Sequence, residues 1–462
     1  DRVSVIQRWM DVLEILSIMP QTPDIQKGRL STQQLAQNFE DIHPPLDYGN
    51  AILEAQRCYY CFDAPCVNAC PTQIDIPSFI RKISSGNTRG SAKDILSQNI
   101  MGGMCARVCP TEVLCEGVCV RNTQESKPVR IGALQRYSTD WLMEKGDMLF
   151  ERAPSSGKRV AVIGGGPAGL SCAHRLAMLG HEVVVFEARE KMSGLNEYGI
   201  AAYKTVDDFA QREVEFILSL GGIKTQCGVS LGKDLKLSEL KSEFDAVFLG
   251  IGLGNVNQLE IGDTPRGVFS AVDYIEDLRQ ASNLENLPVA RRVIVIGGGS
   301  TAIDIAVQSK KLGAEDVTLV YRRGPENMPA TNVEQEFAQV HDVKIRTWLQ
   351  PNSWLVENGQ LSGIRFEYTE LNSSGKLMGK AEFLELETDS AFLALGQKMT
   401  HKIIDLELEM NSGKLAVDEN GATSQSGIWA GGDCITAGKD LTVHAVEQGK
   451  QAAIAMDRWL RN

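Results

Sequence analysis

Arg159-Val160-Ala161-Val162-Ile163-Gly164-Gly165-Gly166-Pro167-Ala168-Gly169 is a short apolar run that breaks into a glycine-rich turn. A helical stretch through Leu179, a second apolar run from Glu182 to Phe186 and the acid Glu187 follow in that order. This is the order of a βαβ dinucleotide unit. Gly164 makes the tight turn, Gly166 lets a pyrophosphate approach the backbone, and Gly169 permits close helix–strand packing. Ala168 lies in the helix start, whose N–H groups and positive dipole end favour phosphate. Glu187, roughly 20 residues on, is placed to accept a hydrogen bond from a ribose hydroxyl. A lone glycine fingerprint says little; strand, turn, helix, strand and acid in sequence predict a nucleotide site.

The pattern returns downstream. Arg292 to Ile296 enters Gly297-Gly298-Gly299-Ser300-Thr301-Ala302, followed by a helix through Leu312 and a strand from Val317 to Tyr321. Two such units about 130 residues apart predict an α/β chain with two Rossmann-like domains. In the second, Gly297, Gly299, Ser300, Thr301 and Ala302 would face the phosphates. No acid follows its second strand. Arg322 and Arg323 stand there instead, and two guanidiniums suit a 2′-phosphate, favouring NADPH over NADH. The competing reading is a solvated basic turn.

Gly431-Gly432-Asp433, then Leu441-Thr442-Val443 at a helix start, resemble the second FAD motif of glutathione-reductase-like flavoproteins. In that motif the Asp binds the ribityl–phosphate chain and the helix start faces the flavin. FAD is thus expected at the first fingerprint and NAD(P)H at the second. The apolar runs Ala246–Gly252 and Ala391–Gly396 each end in glycine and suit crossovers between domains. The expected layout is a helical cysteine-bearing domain over 1–150, FAD-binding segments over 151–290 and 391–462, and an inserted NAD(P)H domain over 291–390.

Eight of the eleven cysteines fall between Cys58 and Cys119. They form Cys58-x2-Cys61-x4-Cys66-x3-Cys70-Pro71 and Cys105-x3-Cys109-Pro110-x4-Cys115-x3-Cys119. Short spacings ending in Cys-Pro resemble ferredoxin runs, and eight thiolates are enough for two [4Fe–4S] clusters. Zinc sites pair shorter hooks and would do no redox work beside a flavin. In ferredoxin-type runs the fourth Cys ligates the other cluster. By that logic Cys58, Cys61, Cys66 and Cys119 serve one cluster, and Cys70, Cys109 and Cys115 the other. Counting alone makes Cys105 the eighth ligand. Pro77–Ser85 and Ile131–Glu144 carry apolar residues at helical spacing, and Glu151–Lys158 reads as a linker.

The chain has 462 residues and a net charge of −12, without a lysine-rich tail, which argues against nucleic acid. No apolar run reaches the ~18 residues of a membrane span. Val3 to Met19 is apolar but interrupted by Arg8, Asp11 and Glu14, and reads as an amphipathic helix without the features of a secretory signal. The lack of an initiator Met suggests a trimmed start. Clustered thiols without a signal favour a reducing cytoplasm over disulfides. Residues 187–226 hold no cysteine, which disfavours a disulfide reductase. Cys172, Cys227 and Cys434 are isolated and read as packed thiols.

In this order, the cysteine runs, the two fingerprints and Gly-Gly-Asp resemble the reductase modules of glutamate synthase small subunits and of dihydropyrimidine dehydrogenases, over about residues 25–462. The resemblance implies an electron-input chain. It would pass hydride from NAD(P)H to FAD, and single electrons through two clusters to a partner holding FMN. For a bacterial dihydropyrimidine dehydrogenase that partner is an iron–sulfur barrel subunit carrying the pyrimidine site, in a hetero-oligomer. Two segments distinguish the relatives. Gln135, in Ile131-Gly-Ala-Leu-Gln135-Arg-Tyr137, matches an unusual glutamine cluster ligand of dihydropyrimidine dehydrogenases, where glutamate synthase subunits carry an acid. This makes Gln135 the eighth ligand in place of Cys105. Leu195-Asn196-Glu197-Tyr198-Gly199-Ile200-Ala201-Ala202-Tyr203-Lys204 also resembles the bacterial dihydropyrimidine dehydrogenase subunits and lacks the Ile-Pro of glutamate synthase subunits; the resemblance places Gly194 and Leu195 near the flavin. Ser193 replaces the first of the usual glycine pair there.

Overall fold

A computed structural model describes residues 25–400 and 403–462; the helix expected over Val3–Met19 lies outside the described residues. The chain divides into two units. One comprises Asp41–Asn255 with Gln397–Asn462, the other the described residues up to Glu40 with Val256–Gly396.

The first unit begins with the cysteine-bearing helices α1 (Tyr48–Gln56), α2 (Ile76–Ser84), α3 (Thr88–Gln98), α4 (Gly102–Val108) and α5 (Ile131–Lys145). Asp75 caps α2 by accepting the Ser78 N–H at 3.1 Å, and Pro77 sits in its first turn, where no N–H is needed. Ile76, Phe79, Ile80 and Ile83 recur at helical spacing and are buried. With Ile95, Leu96 and Leu134 they form a core against which Cys58, Cys66, Cys115 and Cys119 pack. Each such side chain contributes roughly 1.5–3 kcal/mol of burial.

After the linker come β1 (Arg159–Ile163), α6 (Pro167–Met178), β2 (Glu182–Glu187), α7 (Phe209–Leu218), β3 (Ile223–Cys227) and β4 (Ala246–Leu249). The chain then enters the second unit. Its elements are β5 (Val268–Ser270), β6 (Arg292–Ile296), α8 (Ser300–Lys311), β7 (Asp316–Tyr321) and β8 (Val343–Thr347). The long strands β9 (Leu349–Glu357), β10 (Gln360–Leu371) and β11 (Leu377–Glu387) follow, then β12 (Ser390–Leu393). Back in the first unit come β13 (Ile428–Ala430) and α9 (Thr442–Arg461).

Each unit holds a five-stranded parallel sheet, in the order β13-β4-β1-β2-β3 in the first and β8-β7-β6-β12-β5 in the second. Their central strands are apolar on both faces because helices cover both. The second unit adds an antiparallel sheet, β9-β10-β11. The fold is the α/β class the two fingerprints predict, with a helical region before two Rossmann-like sheets.

Two boundaries differ from the sequence layout. The inserted unit starts at Val256 rather than 291, because β5 pairs in parallel with β12, Val268 opposite Ala391. The cysteine-bearing part starts after Glu40 rather than at 1. Ile25 and Gln26 pair with Ala290 and Val289, and Asn38 Nδ2 donates to Lys311 O at 2.8 Å. Strands of two or three residues are too short for a period to be read.

In the first unit α6 and α9 pack closely. A side chain on Gly449 would place Cβ 2.0 Å from Ala168 O. Ser171 Oγ donates to Val446 O at 2.7 Å. His181 is fully buried, with Nδ1 2.7 Å from Ser156 Oγ and Nε2 2.8 Å from Asp457 Oδ1. Ser156 Oγ also accepts the Lys158 N–H, so this Ser–His–Asp line ties linker, β2 and α9 together. Among the described residues no helix is long and apolar enough to cross a membrane.

Candidate electron-transfer sites

The first cysteine cavity is lined by Cys58, Cys61, Cys66 and Cys119, with Ile76, Ile80, Val129 and Ile131 among its apolar walls. Cys58 directly follows α1 and its cap Arg57, and Cys66 rides on the short helix Pro65–Ala69. Cys119 is brought in from the second cysteine run by side-chain ties. Arg121 stacks on Tyr59, its guanidinium carbon 4.1 Å from the ring centre, and its Nε donates to Arg57 O. Arg57 in turn donates to Lys127 O at 2.7 Å and Pro128 O at 3.0 Å.

A second cavity is lined by Cys70, Cys105, Cys109, Cys115 and Gln135. Cys105 lies on α4 and Cys109 caps it. Gln135, buried on α5, donates its Nε2–H to Gly102 O at 2.6 Å, which leaves the carboxamide oxygen as the atom able to ligate. Cys105 lies in the same cavity, beside Cys109. Asn99 and Val443 complete the lining. Nothing in the cysteine spacing marks Asn99.

Burial pushes the Cys66 thiol up to about 12 and raises those of Cys58 and Cys115; the Cys109 thiol is raised first by the hydrogen bond it donates to Cys105 and then by burial. Such thiols become thiolates only against a cation. Among the described residues no three His, Cys, Asp or Glu side chains are gathered to hold a single metal ion. Rings of thiols around a cavity suit a polyatomic iron–sulfur core, and the donor set fits it.

At the first fingerprint, Gly164 has φ +99° and a Cβ there would lie 2.2 Å from Gly250 O. A Cβ on Gly169 would lie 1.9 Å from Gly164 O. At Gly166 a Cβ would meet only Gly194 Cα, at 3.8 Å, so protein packing does not demand this glycine and the space beside it suits a ligand backbone. Ala168 is buried in the first turn of α6. Glu187 is buried at the end of β2. Its Oε2 accepts the Gly165 N–H at 2.7 Å and its Oε1 the Arg189 N–H at 2.9 Å. Those bonds fix the loop and leave lone pairs for a ribose hydroxyl.

Ser193, where a glycine is usual, is buried at φ +89° and donates its N–H to Gly165 O at 2.7 Å. Serine therefore holds the turn glycine would make, at a cost of order 1 kcal/mol. Gly194 follows and packs against Gly166, and Leu195 is exposed beyond it. The loop meets α9: Thr442 Oγ1 donates to Asn196 Oδ1 at 2.8 Å. Gly432 precedes α9, its N–H donating to Gln448 Oε1 at 2.8 Å. Burial, then Asp440, pushes the Asp433 carboxyl up to about 6. Val443, next to Thr442, reaches the second cysteine cavity. One helix turn thus touches both the glycine loops and a thiol ring.

At the second fingerprint a Cβ on Gly297 would lie 2.3 Å from Ala394 O, whereas at Gly299 it would meet only Pro329 Cβ at 3.9 Å. Ala302 is buried; Ser300 and Thr301 are exposed at the start of α8, and Ser300 Oγ donates to Glu334 Oε2 at 3.2 Å. Arg322 and Arg323 follow β7, and neither guanidinium has an ion-pair partner among the described residues.

Residues 158–449 match the family described as pyridine nucleotide-disulphide oxidoreductase. The chain belongs to this family. Residues 35–147 match a second family, described as dihydropyrimidine dehydrogenase domain II, 4Fe-4S cluster. Among curated relatives of this oxidoreductase, the NAD-dependent dihydropyrimidine dehydrogenase subunit PreT of Salmonella typhimurium is 34% identical over 92% of this chain and 98% of its own. The small chain of glutamate synthase [NADPH] of Escherichia coli is 33% identical over 91% of this chain and 94% of its own. Mycobacterium tuberculosis FprA in complex with NADPH has the same fold, with a TM-score of 0.56 at 18% identity over 67% of this chain and 85% of that one. The thioredoxin reductase of T. acidophilum aligns with a TM-score of 0.52 at 17% identity over 66% of this chain and 100% of that one. The chain is an NAD(P)H-dependent oxidoreductase with an N-terminal iron–sulfur domain.

Proposed function

We propose that this chain is the electron-input subunit of an NAD(P)-dependent dihydropyrimidine dehydrogenase. The observation that carries this reading is Gln135, anchored through Nε2 to Gly102 O and lining the same cavity as Cys70, Cys109 and Cys115. Bound FAD would take hydride from NAD(P)H and release single electrons through two [4Fe–4S] clusters to an FMN-containing barrel partner that reduces uracil or thymine to the 5,6-dihydropyrimidine. The chain's own residues do the positioning. Gly164, Gly166, Ala168, Gly169 and Glu187 hold the FAD pyrophosphate and ribose; Gly194, Leu195, Gly432, Asp433, Thr442 and Val443 surround the rest of the flavin. Gly297, Gly299, Ser300, Thr301 and Ala302 hold the nicotinamide dinucleotide, with Arg322 and Arg323 on its ribose. Cys58, Cys61, Cys66 and Cys119 hold one cluster; Cys70, Cys109, Cys115 and Gln135 hold the other. The second cavity is the inner one, because Val443 links it to the flavin loops. The complex works in the cytoplasm as a hetero-oligomer.

A second reading, the small subunit of glutamate synthase, draws support from Arg322 and Arg323. Two free guanidiniums suit NADPH, which that relative's name specifies, whereas PreT is named NAD-dependent. Anaerobic co-purification with the candidate FMN partner decides. Uracil-dependent oxidation of NADPH or NADH that needs both chains supports the first reading. Its absence from an iron- and flavin-replete complex, with turnover of glutamine and 2-oxoglutarate alongside a large amidotransferase partner, supports the second.

A further inference from the structure

Asn99 lies between α3 and α4, fully buried, and lines the second cavity beside Cys70, Cys105, Cys109, Cys115 and Gln135. Its Oδ1 accepts the Met101 N–H at 3.1 Å. That bond fixes the orientation of the carboxamide, since a flipped amide would set two donors against each other. The remaining end, Nδ2, is buried and has no hydrogen-bond partner among the described residues. Native proteins rarely leave a buried amide N–H unsatisfied, because it has lost water without gaining an acceptor. Several other walls of the cavity, Ile74, Ile76, Leu114 and Val443, offer apolar side chains.

We propose that Asn99 Nδ2 donates a hydrogen bond to a sulfur of the cluster held in the second cavity and sets that cluster's reduction potential. The inference rests on the assignment of a cluster to this cavity. Hydrogen bonds to cluster sulfurs stabilise the more negative, reduced state and raise the potential. Asn99 would tune the inner cluster toward accepting electrons from the flavin side without ligating iron.

The test is an EPR-monitored redox titration of the anaerobically purified holoprotein and of Asn99→Leu and Asn99→Asp. Asn99→Leu removes the donor. Asn99→Asp keeps the acceptor for the Met101 N–H, so it preserves the local fold while placing an anion at the cluster. We expect one reduction step to move down in both variants while the other stays. In Asn99→Leu the reduced-to-oxidised ratio at fixed potential should fall about tenfold, or about 59 mV for a one-electron couple. Asn99→Asp should fall further. Unchanged potentials in both variants at wild-type iron content would overturn the proposal. So would full restoration by Asp, which marks a purely structural acceptor. A wild-type protein with iron for one cluster only, bound by the first thiol ring, would instead overturn the cluster assignment beneath it; iron analysis reads this before any titration.

Discussion

Thr442 Oγ1 and Asn196 Oδ1 meet at 2.8 Å, joining the first turn of α9 to the loop that follows Gly194. The bond holds one side of the proposed flavin pocket against the other. Thr442→Val keeps the shape and removes it. A net loss of about 1 kcal/mol corresponds to roughly fivefold weaker FAD retention. Flavin absorbance after gel filtration at low protein concentration checks this, with Asn196→Ala expected to behave alike.

Gly166 and Gly169 should fail differently. Gly169→Ala drives Cβ to within 1.9 Å of Gly164 O, so the protein should be insoluble or lose several kcal/mol, about 3 or more, of stability. Gly166→Ala meets nothing closer than 3.8 Å and should fold, yet lose flavin. Circular dichroism melts read beside flavin content separate the two. Equal destabilisation would show that packing, not the ligand, explains Gly166.

Replacing Arg322 and Arg323 together with Ala should raise the KM for NADPH by about 10- to 100-fold and that for NADH much less, as expected when bidentate contacts to a 2′-phosphate are lost. Artificial acceptors suffice for the assay. Matching effects on both nucleotides would assign the arginines to the solvated turn.

On the proposed ligand set, Gln135→Leu should alter the EPR signal or lower the iron content of the proposed second cluster, while Cys105→Ser should leave about eight iron atoms per chain, two cubane cores. The reverse pattern makes Cys105 the ligand and weakens the dihydropyrimidine dehydrogenase reading.

Glu213, on α7, is fully buried; its Oε1 accepts the Gly103 N–H at 2.9 Å and the Met104 N–H at 3.0 Å. Burial pushes its carboxyl up to about 8, against an ordinary 4.5. With the folded value raised, the native state keeps a proton that the unfolded chain releases between those values, so this group lowers stability as pH rises from 4.5 to 8. Glu213→Gln should be near neutral at about pH 4 and stabilising by about 1–3 kcal/mol at about pH 8. Thermal melts across that range test it; an equal effect at both ends would mean the carboxyl is already ionised in the native protein.

Much of this was legible in the sequence because the chemistry constrains spacing. Glycines at Gly164 and Gly169 are dictated by contacts with Gly250 O and Gly164 O, and the strands around them are apolar on both faces. The cysteine spacing groups Cys58, Cys61 and Cys66 locally, and Cys119 joins their cavity from the second run. Other features left no periodic trace. Strand β5 has three residues, so the true start of the inserted unit was invisible. Glu213 acts through two long-range bonds to α4 and Asn99 through its place in the second cavity, and a lone Asn or Glu carries no pattern until the helices are packed. Ser193 looked like a disruption of a glycine pair, but the turn survives because its neighbours hold it.

Because Val443 lines a thiol ring while Thr442 braces the loop at Asn196, a segment translated later than every other contributor completes both sites. The cysteines emerge from the ribosome hundreds of residues earlier, roughly half a minute at ordinary elongation rates. Throughout that interval the inner ring lacks a wall. A cluster held there as proposed must enter an open nascent chain or wait until α9 has docked.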